Sequence, residues 1–203
     1  MNNNLNSKTF GLFLLSIGIA AVLAFISLLI FFAGYSNNIA GLYIFGSLND
    51  VLGSVEAILT AVLATFLVTS GSKRWIWLYL IGTILSWMGA FIVTLDSLMA
   101  GDILPKNTGV ILRTQYGFPP LLTTNDIHFG FGLIGIWLVM VIFQAARTKS
   151  WPNYLIGLGL ITGVIMIVGL NGDSPLGFVF LYPIWCIWLG RQIVKANTKE
   201  DTN

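Results

Sequence analysis

The segment Phe10-Gly-Leu-Phe-Leu-Leu-Ser-Ile-Gly-Ile-Ala-Ala-Val-Leu-Ala-Phe-Ile-Ser-Leu-Leu-Ile-Phe-Phe-Ala33 contains no charged residue and no proline. It exceeds the roughly 20 apolar residues that a helix needs to cross the hydrocarbon core of a bilayer, so it predicts a membrane span. Lys8 precedes it as the basic region of a signal peptide would. The apolar run is too long for such a peptide, and Phe31-Phe32-Ala33-Gly34-Tyr35 offers no small-x-small cleavage site, so the segment reads as a retained helix.

Outward from this segment the same pattern recurs at Val51–Thr69, Trp75–Leu98, Ile127–Ala146, Tyr154–Leu170 and Leu176–Val194. The expected fold is an all-α integral membrane protein, a single transmembrane domain over residues 1–203 with about six spans. The apolar stretch Ile39–Phe45 is too short to cross and reads as an interfacial or re-entrant piece. Composition agrees. Of the 203 residues, 56% are hydrophobic and 9% charged, too few charges to cover a water-facing surface. The net charge of +2, with no run of Lys or Arg, argues against a nucleic-acid partner. The partners to expect are the lipid bilayer, a small-molecule or lipid ligand, and another membrane protein or a second copy of the chain.

Orientation follows from the basic residues. With the N-terminus in the cytoplasm, Lys8, Lys73, Arg74, Arg147, Lys149, Arg191, Lys195 and Lys199 lie inside, and only Lys106 and Arg113 lie outside. Both termini are then cytoplasmic, residues 99–125 form a long extracytoplasmic loop, and residues 195–203 form a polar cytoplasmic tail. Trp75, Trp77, Trp151 and Trp188 fall where aromatic anchors sit at the inner interface. The loop reads either as a lid over the outer mouth or as a flap packed on the bundle. The links Ser70–Arg74 and Arg147–Asn153 are short enough to make their flanking helices antiparallel neighbours.

Asn49-Asp50, Asn125-Asp126 and Asn171-Gly172-Asp173-Ser174-Pro175 precede the three descending helices, which is the chemistry of helix N-caps. Small residues mark close-approach faces: Gly82, Ser86 and Gly89; Gly132 and Gly135; and Gly159 with Gly163. Pro183 predicts a kink in the last helix.

Ionisable groups inside apolar spans point to function, because each is costly in lipid. Glu56 is the most informative. Asn49, Gly53, Glu56 and Thr60 recur at spacings of four, three and four, which places them on one polar face directed into the bundle. Asp96 extends the Gly82–Gly89 face toward the outside, and His128 lies one turn before Gly132. Asn49, Glu56, Thr60, Asp96 and His128 are therefore the candidate ligand-binding residues, lining a cavity open to the outside. A carboxyl held away from water can carry a proton, and a histidine can exchange it. The lone Cys186 with the lone His128 cannot build the usual zinc site, and no hydrolase or phosphate-loop motif occurs. No cofactor or catalytic residue is indicated. The expected function is binding or transport of a small molecule or ion. The alternatives are a membrane-embedded enzyme using the same carboxyls on a lipid-soluble substrate, and an accessory or sensory subunit whose glycine faces bind another membrane protein.

Overall fold

The computed structural model describes residues 7–70, 76–100, 103–123, 127–169 and 177–200. Among them every regular element is helical. The helices are α1 (Lys8–Ser36), α2 (Ile44–Ser70), α3 (Ile76–Ala100), α4 (Thr108–Tyr116), α5 (Ile127–Thr148), α6 (Asn153–Val168) and α7 (Tyr182–Glu200). Short 3-10 turns occupy Ala40–Leu42 and Pro120–Thr123, and a π-helical turn over Gly177–Leu181 leads into α7.

Five helices are long and apolar enough to cross a membrane: α1, α2, α3, α5, and α7 with its π turn. This is the pattern of a multi-pass membrane protein. The predicted fifth span, Tyr154–Leu170, corresponds to α6, which has 16 residues. At about 1.5 Å per residue it is roughly 24 Å long, short of a hydrocarbon core of about 30 Å.

The helices pack as a ring. α1 lies between α7 and α2, α2 between α1 and α3, and α3 between α2 and α5; α5 then packs on α6, and a shorter α6–α7 seam closes the circuit. The seams are set by glycine. A Cβ on Gly190 would come within 2.8 Å of the Gly11 carbonyl oxygen, so α1 and α7 meet backbone to backbone. Gly89 on α3 stands in the same relation to Gly130 on α5, and Gly163 on α6 to Gly135. Lipid gives helices no hydrophobic reason to associate, so such contacts carry the packing. The small face of α3 is thus where the sequence puts it. On α5, Gly135 makes its close approach to α6, while Gly130, Ile134 and Trp137 face α3.

Ser and Thr survive in these helices because their hydroxyls donate to the carbonyl one turn back. Ser27 donates to Leu23, Ser54 to Asp50, and Thr162 to Leu158. The periphery is apolar, with Leu12, Ile19, Leu29, Ile84 and Val168 among its exposed side chains. Toward the end of the bundle where α1 begins and α7 ends, aromatic rings pack in the interior. Phe10 stacks on Trp151, which meets Trp185 edge-on, and Trp185 stacks on Tyr182. The indole N–H of Trp185 donates to the Leu155 carbonyl at 3.0 Å.

Several expectations need correction. α2 starts at Ile44, so Asn49 and Asp50 lie inside the helix and do not cap it. The stretch Ile39–Phe45 is a 3-10 turn packed on α1, followed by the first residues of α2. Trp151 is buried at 4% exposure and belongs to the core, whereas Trp77 and Trp188 are exposed as anchors would be. α7 continues through the expected polar tail to Glu200. The long loop contains α4, which ends at Gly117 with φ of 69°, a left-handed cap that suits glycine. Next to it Phe118 stacks on Phe91 of α3. Trp75, the expected caps Asn125-Asp126 and Asn171–Pro175, and the basic pair Lys73-Arg74 lie outside the described residues.

Candidate functional site

A cavity of about 260 Å³ opens between α1, α2, α3, α5 and the π turn. α2 contributes its polar face to the lining, Asn49, Asp50, Gly53 and Glu56. Asp96 comes from the last turns of α3, and His128 from the first turn of α5. Phe25 of α1, Phe131 of α5 and Phe178 of the π turn supply an aromatic wall. Phe131 and Phe178 lie parallel with centroids 4.4 Å apart, and His128 meets Phe178 edge-on at 5.4 Å.

Four of the five residues singled out from the sequence, Asn49, Glu56, Asp96 and His128, therefore share one cavity. Thr60 lies one turn beyond Glu56. Its hydroxyl donates to the Glu56 carbonyl at 2.9 Å and shares a hydrogen bond of 2.9 Å with the Tyr182 hydroxyl. Thr60 and Tyr182 are both fully buried, so this bond ties α2 to α7 beneath the cavity. Cys186, one turn further along α7, is also buried.

Glu56 is the residue on which the site turns. Its position in α2 puts it about 18 Å from the helix start, deeper than the short predicted span implied. It is 3% exposed, and its Oε1 has no hydrogen-bond partner among the described residues. A buried polar atom without a partner costs roughly 1–3 kcal/mol, and more when charged. No described side-chain or backbone group offsets that cost. Nearer the mouth, the Asn49 amide donates to Asp50 at 3.1 Å.

Sequence reasoning missed Asp50, which it assigned to a cap, and the phenylalanine wall. It also missed Tyr182, although a hydroxyl-bearing ring next to Pro183 in an apolar span was a signal. No three His, Cys, Asp or Glu side chains among the described residues stand close enough together to hold a metal ion. Compared with protein-family models, curated proteins and solved structures, the chain matches none of them.

Proposed function

We propose that this chain is a six-span membrane protein with both termini in the cytoplasm, whose cavity faces outward and binds or transports a small molecule or ion. The observation that carries this reading is the buried carboxyl of Glu56, with an unpartnered oxygen, on the wall of a cavity also lined by Asn49, Asp96 and His128. The mouth lies at the α4 end. The aromatic packing of Phe10, Trp151 and Trp185 lies toward the opposite end, which supports entry from the α4 side. Among the described residues, Lys8, Arg147, Lys149, Arg191 and Lys195 sit at that opposite end and Lys106 and Arg113 at the α4 end, which supports the orientation.

Of the glycine faces that favoured an accessory subunit, Gly82, Gly89, Gly135, Gly159 and Gly163 pack against other helices of the chain. These contacts favour the binding reading over the subunit reading.

The test is native mass spectrometry of detergent-purified wild type and Glu56→Gln protein. The expected result is a specific species retained by the wild type and lost from a variant that still folds. Equal retention by both would refute the role of Glu56. A second protein co-purifying with both, and no small species in either, would restore the subunit reading. Chemically altered lipid in the wild-type preparation alone would favour the enzyme.

A further inference from the structure

We infer that the occupant of this cavity is a small organic cation, an ammonium centre carrying short apolar groups. The inference rests on the reading of the cavity as a binding site and adds the class of ligand.

Charge comes first. The lining carries three carboxyl groups, Asp50, Glu56 and Asp96, one histidine, and neither lysine nor arginine among the described residues. Groups that can carry negative charge therefore outnumber the one that can carry positive charge. A cation among these carboxyls favours their ionised form and pairs with it, whereas an anion meets no lysine or arginine in the lining. The buried Oε1 of Glu56 is an acceptor waiting for a donor or a positive charge.

Geometry separates an organic cation from a metal ion. A hard divalent cation needs several oxygens within about 2.0–2.6 Å of one point. The acidic groups here are spread along the wall, from Asp50 near the mouth to Glu56 two turns along α2, and no three of them gather. Spread-out charge suits a cation whose centre is itself surrounded by carbon. The rest of the lining fits those carbons. Phe25, Phe131 and Phe178 present aromatic surface, and an ammonium centre within about 6 Å of an aromatic ring face is attracted to it. The size of the cavity, about 260 Å³, is below the roughly 300–1,000 Å³ of sites for drug-sized ligands, so the ligand is small.

The experiment uses the full chain in neutral detergent, titrated with tetramethylammonium chloride, tert-butanol or sodium acetate, with sodium chloride at matched ionic strength as reference. Thermal unfolding and calorimetry are read for wild type, Glu56→Gln and Asp50→Asn. Tetramethylammonium is expected to stabilise the wild type and to bind each variant at least roughly tenfold more weakly, as loss of a charged partner implies. Asp50 is half-buried near the mouth, so its variant keeps the test open if Glu56→Gln does not fold. Failure of tetramethylammonium to bind the wild type, or unchanged binding in both variants, overturns the inference. Binding of tert-butanol or acetate with equal strength also overturns it, yet leaves the cavity as a binding site. Retention of no species by either wild type or Glu56→Gln in the mass spectrometry would instead remove the binding reading itself.

Discussion

The α3–α5 seam holds the site together, and Gly89→Ala measures how tightly. A Cβ at Gly89 would lie 2.5 Å from the carbonyl oxygen of Gly130 and 3.1 Å from Cγ1 of Ile134. Carbon and carbonyl oxygen settle at about 3.3 Å or more, so the helices would have to separate by roughly 0.8 Å. The nearest atom is backbone and cannot rotate away, which places the substitution toward the upper part of the ~1–3 kcal/mol range for overpacking. Alanine favours a helix over glycine by about 1 kcal/mol. The net expectation is a destabilisation of about 1–2 kcal/mol. At roughly 2–4 °C per kcal/mol for a chain of this size, the unfolding midpoint falls by roughly 2–8 °C. Gly157→Ala on α6 is the control, since a Cβ there meets nothing within 4 Å. It should be neutral, or more stable by up to about 1 kcal/mol. Both proteins are compared by thermal unfolding in the same detergent. Asp96 lies two turns beyond Gly89, and His128 half a turn before Gly130, so displacement of the seam should also weaken retention of the ligand. If Gly89→Ala is as stable as Gly157→Ala, the helices do not approach as described, and the placement of Asp96 and His128 on one cavity loses its support.

Other substitutions probe the floor, the core and the orientation. Tyr182→Phe removes one partner of a fully buried hydrogen bond and should cost about 1 kcal/mol; the cycle with Thr60→Val should be non-additive by a similar amount, and additivity would show that the bond is not formed. Trp185→Phe removes the indole donor to the Leu155 carbonyl and opens space beside Trp151, so unfolding should occur about 1–3 kcal/mol more easily; an unchanged midpoint would place Trp185 outside the core. Cys186 is buried and should react with maleimide only after denaturation, which makes a Cys186→Ala background simple to use. In that background, Thr114→Cys should label from outside intact cells and Thr198→Cys only after permeabilisation; the reverse pattern would invert the topology.

The apolar spans were legible because lipid imposes one requirement on every residue of a span, and a run such as Phe10–Ala33 meets it without exception. The α2 start was not legible. Asn49-Asp50 has the chemistry of a cap, yet these residues face a cavity that accepts polar groups, so the helix runs through them from Ile44. The same misreading made Glu56 seem shallow. Its face was still readable, because helical spacing groups Asn49, Gly53 and Glu56 wherever the helix begins. Trp151 shows the opposite limit. Its place between basic residues and a helix start fits an interfacial anchor, and only the packing of Phe10 and Trp185 around it takes it into the core. Gly130 and Gly135 lie five residues apart, so they point to different neighbours, a distinction that depends on which helices sit on either side of α5.

The cavity has its extent for reasons that lie in α7. Pro183 has no N–H to give the carbonyl of Val179, its partner one turn back in an α-helix. The chain over Gly177–Leu181 takes the wider π turn, a departure often found at functional sites. Phe178 and Val179 of that turn form part of the cavity wall, and Tyr182, its immediate successor, seals the floor through Thr60. A regular helix here would change the direction of Phe178 and the reach of Tyr182 together. The proline therefore does more than bend a span: it fixes both the wall and the floor against which Glu56 is held.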